Sequence, residues 1–279
     1  MALRSHVLAG AAVGGYATTS EMGLAPGLCR QVPDDSLTIL DRNFVTPTIL
    51  HPLERDGRNR HWLTRAKSTT KYTVLRSLGP GDDLVEMQVT REARAKEPSL
   101  GKTWTVRAVH YQHKGHRPQI LLTSLLDAKT YPASELAAMY HERWEIELGY
   151  GEIKTTLLER RESLRSKKPD GVLQEAWGAL LAYNLIRLEM ARIAREVGAP
   201  PTRMSFILCL SRITTEWLCT AKTHSPGAVP THLEEMREII RRLVLPPRRP
   251  ERSYPRAVKV KMSNYPRKRP VKGNDDVLK

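Results

Sequence analysis

With 279 residues, 45 Lys and Arg against 30 Asp and Glu, and a formal charge of +15, the chain can bury a sizeable core and points to a polyanionic partner. Nucleic acid is the first such partner and an anionic membrane surface the alternative; no apolar run approaches bilayer-spanning length. Cys29, Cys209 and Cys219 are widely spaced with no C-x-x-C pair, which argues against a zinc site or disulfide framework and for reduced thiols in a cytoplasmic protein.

Met1 to Ala17 imitates a signal peptide, with Arg4, an apolar run and small residues, but Gly10, Gly14 and Gly15 dilute its apolar centre. Leu3 to Val13 is expected instead to be a buried strand. A short helix follows over Thr18 to Arg30, capped by Thr19 or Ser20, and then a turn at Pro33-Asp34-Asp35-Ser36. Leu37 to Leu40 is a short strand, and Thr46-Pro47 opens a helix running to about Arg55. That order places Asp41 at the carboxyl end of a strand, where sites collect in open α/β sheets. A helix or loop cap is the other reading of Asp41. Asp34 and Asp35 lie at the wrong end of the strand and read as turn residues.

A β-rich block comes next, with strands expected at His61–Ala66, Lys71–Leu78, Leu84–Thr90, Thr103–His113 and Gln119–Leu125. Gly79-Pro80-Gly81-Asp82-Asp83 and Lys114-Gly115-His116 are the turns. One helix is then expected from Ser134 to about Leu164, entered at Pro132. At about 100° per residue, Tyr140, Arg143, Glu147 and Lys154 fall within roughly 60° of one another around it. Met139, Ile146, Tyr150, Ile153 and Leu157 form an adjoining apolar stripe. A carboxylate on such a face can hold a divalent metal, and the two cations can hold phosphate oxygens beside it. A surface helix laced with ion pairs is the plainer alternative. His141-Glu142-x-x-Glu145 looks like half of a zinc-protease helix but lacks its second histidine.

Charge closes that helix, and Arg165, Lys167 and Lys168 sit where it gives way to a loop, as phosphate contacts or as a solvated linker. Asp170 is expected to cap a long helix to Glu196, in which Trp177 and Tyr183 read as core rather than base-stacking groups. Met204 to Cys219 is a further apolar helix and Thr231 to Leu245 a basic amphipathic one. Residues 246–279 carry eleven Lys or Arg against three acids, with Tyr254 and Tyr265 interleaved. That composition makes a poor core and a good phosphate-tracking arm.

The spacing Tyr140-x2-Arg143-x3-Glu147-x6-Lys154 resembles the Y-R-E-K signature of the DDE transposases of the insertion-sequence-four family, with every position matched. Arg143-Trp144, Ile146-Glu147 and Trp177 to Arg187 (WGALLAYNLIR) also resemble that family, and Leu40-Asp41-Arg42-Asn43-Phe44 is similar to its segment around the second catalytic aspartate. The resemblance implies an α/β fold: a partial ribonuclease H-like core with a β-rich insertion, followed by C-terminal helices and a basic tail. The divisions expected are 1–58 for the first part of the core, 59–128 for the insertion, 129–222 for the helical part and 223–279 for the basic end.

By the same resemblance, Asp41 and Glu147 are catalytic metal ligands for Mg²⁺, with Mn²⁺ as a substitute. The resemblance also implies that Tyr140, Arg143 and Lys154 hold the DNA backbone; Arg165, Lys167 and Lys168 are further candidate DNA contacts by their position alone. The partner is double-stranded DNA, both mobile-element ends and target, bridged by a homodimer. The family uses three acids, and Leu3 to Val13 carries none. The expectation is therefore an N-terminally truncated transposase that binds DNA in the bacterial cytoplasm but cleaves poorly alone, with an unpaired sheet edge that favours aggregation. A non-catalytic basic protein that binds DNA or RNA is the alternative.

Overall fold

Short hydrophobic runs separated by turn residues build a mixed sheet. The computed structural model describes residues 1–15, 18–112, 117–159, 164–222 and 225–246. Strand β1 (Ser36–Leu40) and β2 (Arg60–Arg65) flank helix α2 (Pro47–Arg55) and pair in parallel, Leu37 opposite His61 and Leu40 opposite Thr64. Strands β3 (Thr73–Gly79), β4 (Asp82–Gln88), β5 (Thr103–Tyr111) and β6 (Gln119–Thr123) run antiparallel. Because β6 also pairs with β2, Leu63 opposite Thr123, all six strands form one sheet in the order β1-β2-β6-β5-β4-β3. Gly81 takes a φ of 68° in the Pro80-Gly81 loop between β3 and β4, a left-handed conformation that suits glycine. Among the described residues no strand pairs with the outer edge of β1.

Side chains alternate across the strands, so each face has its own core. Trp62, Val106, Ala108 and Leu122 meet α1 (Glu21–Cys29) and α2 on one face. Trp62 is fully buried, stacks obliquely on Trp104 and donates its indole N–H to Glu54. Leu63, Val109 and Leu121 face the other way and pack on Leu136 and Tyr140 of α4 (Ala133–His141). A separate helical core joins α6 (Pro169–Glu196), α7 (Phe206–Ala221) and α8 (Val229–Arg241) through Tyr183, Met190, Cys209, Ile213 and Met236.

The α/β class, the strand leading into Asp41 and the β-rich run after it are as the sequence indicates. Several local expectations are corrected. Leu3 to Val13 is not a strand: Asn184 of α6 bonds both backbone groups of Leu8, at 2.8 and 2.9 Å, and satisfies them where a neighbouring strand would. Residues 91–96, on which the sequence made no statement, form a short helix, α3 (Arg91–Lys96), capped by Thr90 accepting from the Ala93 N–H. Asp170 lies inside the first turn of α6; the cap position is Lys168, with Pro169 entering the helix.

The single helix expected over Ser134–Leu164 is interrupted. It comprises α4, α5 (Trp144–Gly151) and a π turn over Glu152–Leu157. Arg143, Glu145 and Ile146 donate three residues back, tightening the chain, and Leu158 donates five residues back to Ile153, widening it. A constant 100° step therefore does not carry through, and the apolar stripe breaks. Ile153 and Leu157 reach the helical core, but Tyr150 is 54% exposed and Gly149 packs inward in its place, against Met1. Trp177 is also no core residue: it is exposed with Leu173, Leu181, Leu185 and Leu188 along one side of α6, whereas Tyr183 is buried as expected. The Lys114-Gly115-His116 turn, Tyr254 and Tyr265 lie outside the described residues.

Candidate active site and nucleic-acid interface

One end of the sheet gathers the candidate residues. Asp41 directly follows β1, Arg65 ends β2, Tyr111 ends β5 and Gln119 begins β6. Parallel pairing of β1 with β2, and the opposition of Tyr111 to Gln119, bring these positions to the same end. Strand alternation gives Arg65 and Tyr111 the same parity as Leu63 and Val109, which face α4. Gln119 ties two of them together: its Oε1 accepts from the Tyr111 hydroxyl at 2.9 Å and from Arg65 Nη1 at 3.3 Å.

Asp41 is exposed and caps a 3₁₀ turn over Arg42–Phe44, with Oδ1 accepting from the Asn43 N–H at 3.0 Å. Both readings of this residue therefore coexist: it is a cap, and it stands at a strand's carboxyl end. Tyr140, nearly buried on α4, meets the Tyr111 ring edge-on at 6.5 Å. Burial pushes the Tyr140 phenol up, the Arg143 and Arg65 charges pull it down, and the Asp41 carboxylate adds to the rise. The Tyr111 phenol is likewise raised by burial and by Tyr140, against Arg65 and Arg143. Asp41, Arg65, Tyr111, Tyr140 and Arg143 thus share one electrostatic neighbourhood.

Arg143 sits in the tightened turn between α4 and α5, its guanidinium 5.9 Å from the centre of the Tyr140 ring. Its Nη2 also reaches Glu147 Oε1 at 3.2 Å. The Asp41 charge acts on the Tyr140 phenol and Glu147 pairs with Arg143, so two elements bear on the same tyrosine–arginine pair. Lys154 is exposed about two turns further on, within the π turn. Among the described residues no three His, Cys, Asp or Glu side chains are grouped to hold a metal ion together.

Arg165, Lys167 and Lys168 are exposed on the segment entering α6, apart from the sheet-end cluster in sequence and element. This segment is fixed by Glu175, whose carboxylate accepts from the Arg165 N–H at 2.9 Å and the Ser166 N–H at 2.8 Å. The Ser166 hydroxyl bond, then the Arg165 N–H, hold the Glu175 carboxyl below the usual range. A depressed carboxyl contributes its bonding in full above the ordinary glutamate value, about 4.3, and loses it as pH falls through the lower native value. The Arg165 and Ser166 amide resonances are therefore expected to titrate together below that ordinary value. Amides that titrate at the ordinary value, or not at all, would contradict the cap.

Sequence reasoning missed Arg65, Tyr111 and Gln119, because strand register places them and periodicity alone does not. It also missed Arg187, an arginine 1% exposed within an apolar helix. A lone cation in the run Tyr183-Asn-Leu-Ile-Arg187-Leu was the available signal.

Residues 1–185 match the family model described as Transposase DDE domain. The chain is 39% identical over 267 residues to transposase InsG for insertion sequence element IS4 of Escherichia coli (strain K12), covering 95% of this chain and 60% of that one. It therefore spans about three-fifths of the length of that relative. It is also 39% identical over 66 residues to the putative transposase InsZ of the same strain, 24% of this chain and 22% of that one. Among solved structures, a piggyBac transposase synaptic complex with hairpin DNA aligns with a TM-score of 0.41 at 14% identity, over 85% of this chain and 48% of that one, a likeness too distant to bear on function.

Proposed function

The chain belongs to the DDE transposase family, in its insertion-sequence-four branch, and from that premise we propose that it engages duplex DNA where Asp41, Arg65, Tyr111 and Tyr140 meet. The reaction we assign to this site is the cutting of insertion-sequence ends and their joining to target DNA. The observation that carries the reading is the Glu147–Arg143 ion pair, with its guanidinium beside the Tyr140 ring, at the sheet end where Asp41 follows β1.

Asp41 and Glu147 offer hard carboxylate oxygens at a water-accessible surface. That donor chemistry fits Mg²⁺, or Mn²⁺ in its place, since Mg²⁺ commonly takes one or two carboxylates and keeps several waters. Such ions, when bound, supply an activated water or 3′-hydroxyl and neutralise the leaving oxygen. Glu147 has first to leave Arg143. An exposed ion pair of this kind is worth about 0–1 kcal/mol, and a DNA phosphate gives Arg143 a charge-assisted bond in exchange, so the switch is inexpensive. Tyr140, its phenol pushed up, stays protonated at neutral pH and donates to a phosphate oxygen. Lys154 holds the backbone beside it, and Arg165, Lys167 and Lys168 extend the contact to further phosphates.

Two acids instead of the family's three make this chain a weak nuclease by itself. Asp34 and Asp35 lie at the opposite end of β1, held by Arg60 and Arg58, and Glu21 begins α1. A second copy bridges two DNA ends in the working assembly, acting on nucleoid DNA in the bacterial cytoplasm. Within the chain, 1–58 and 129–222 serve as core, 59–128 as the insertion and 223–279 as a basic end. No helix among the described residues is long and apolar enough to cross a membrane. The Arg143–Glu147 pair also suits the second reading, a basic DNA- or RNA-binding protein without catalysis.

Mn²⁺ titration followed by electron paramagnetic resonance separates the two. Asp41→Ala and Glu147→Ala are each expected to weaken Mn²⁺ binding by more than the roughly tenfold typical of losing an outer-shell partner. Binding unchanged in both variants would leave the non-catalytic reading. Metal-dependent nicking of plasmid by the parent chain, abolished by Glu147→Ala, would instead refute its weakness as a nuclease.

A further inference from the structure

We propose that Arg187 of α6 is a positioning residue for this reaction, holding the π turn through Glu152 and so fixing where Glu147 and Lys154 point. The proposal rests on the function read above. Glu152 is the first residue of the π turn, five positions after Glu147 and two before Lys154. Arg187, buried in the helical core, ion-pairs with it through Nη2. The Tyr183 hydroxyl donates to Glu152 Oε2 at 2.7 Å, and the Arg187 Nε contacts that hydroxyl at 3.4 Å. The Arg187 guanidinium lies 5.0 Å from the centre of the Phe206 ring, which fixes its plane from the α7 side.

His6 completes the clamp. Its Nδ1 is 3.3 Å from Glu152 Oε2 and 2.8 Å from Arg187 Nη2, and its Nε2 is 3.1 Å from Glu145 Oε2. The two carboxylates flanking Glu147 in sequence, Glu145 and Glu152, are thus both drawn inward. Seven residues apart, they share one side of a helix, whereas Glu147, two residues from Glu145, is turned about 200° away toward solvent. Burial would raise the Glu152 carboxyl, but the His6 bond, the Arg187 charge and bond and the Tyr183 hydroxyl outweigh it and hold it low.

A π turn is rare because the α-helical bonding pattern is better. Its persistence around Lys154 calls for a contact outside the backbone, and the clamp at its first residue, Glu152, is one. Relaxation of this turn to α-helix would re-space the chain from Glu152 onward, turning Lys154, its third residue, relative to Glu147.

The test uses the full chain with Arg187→Met. Arg237→Met is the control: Arg237 makes a comparable partly buried pair with Glu189 of the same helix, at 2.7 Å, outside the Glu152 cluster. Two quantities are read, amide hydrogen exchange of residues 152–158 and Mn²⁺ affinity. Arg187→Met is expected to speed that exchange at least about tenfold and weaken Mn²⁺ binding toward the Glu147→Ala level, with Arg237→Met changing neither. Should Arg187→Met fail to fold, Arg187→Lys is expected to show both effects in smaller measure. Unchanged exchange, or equal effects in the Arg237 control, would overturn the proposal. So would faster exchange with Mn²⁺ binding intact. A parent chain without Glu147-dependent Mn²⁺ binding would sink the functional reading, and this proposal with it, whereas an unchanged exchange pattern sinks this proposal alone.

Discussion

Replacing Arg107 by Met is expected to lower the unfolding free energy by about 3–5 kcal/mol, the usual cost of removing one partner of a buried ion pair. Arg107 lies in β5 between Leu84 of β4 and Thr123 of β6, wholly buried. Its Nε and Nη2 grip both oxygens of Asp82 at 2.7 and 2.6 Å. Its Nη1 donates to the carbonyls of Tyr131, at 2.8 Å, and Leu125, at 3.2 Å. Methionine fills much of the same volume but leaves the Asp82 carboxylate and those carbonyls without a donor. Urea denaturation measures the loss, and a change below about 1 kcal/mol would show that water replaces the guanidinium freely. Pairing Arg107→Met with Asp82→Leu should recover most of the stability, because an apolar substitute for a whole buried pair is often neutral. The arginine also fixes the segment that leads into α4, and hence the approach of Tyr140 to the sheet.

Replacing Arg165, Lys167 and Lys168 together by Gln is expected to flatten the salt dependence of duplex-DNA binding by as much as about 2.7 in the slope of log affinity against log salt. That figure is three phosphates at roughly 0.9 each. All three side chains are exposed, and the Glu175 bonds to the Arg165 and Ser166 amides hold their segment at the start of α6, where the helix dipole also favours phosphate. Affinity at a single salt concentration would not separate this segment from the eleven cations of residues 246–279, but the slope counts released ions. Fluorescence anisotropy from about 50 to 200 mM salt gives it. A slope equal to that of the parent would mean that the segment is a solvated linker.

The parts of this molecule legible in sequence are those set by local chemistry. Pro47 entering α2, Ser20 capping α1 and the Pro80-Gly81 loop each carry their own backbone preference, so their elements stand where the residues put them. The Tyr140–Lys154 spacing was legible as a pattern, but its geometry was not, because three tightened bonds and one widened turn intervene. Leu3 to Val13 misleads for a different reason. Its apolar residues are at most partly buried, Val13 being exposed, and the Asn184 side chain, not a neighbouring strand, satisfies the Leu8 backbone. Arg65, Tyr111 and Gln119 enter the site through strand pairing, which one residue of slippage would undo.

That pairing also orders the making of the molecule. Within the meander from β3 to β6, each strand finds its partner in the next segment of chain. The seam between β2 and β6 is different: Leu63 meets Thr123, 60 positions along (123 − 63), so a long loop must close before the contact repays it. Asp41 lies on one side of the seam, and Tyr140 and Glu147 arrive with chain made after β6. On a ribosome, the aspartate's strand therefore emerges well before its companions and waits for the seam. The sheet end that gathers them is completed only after β6 and α4 have been made.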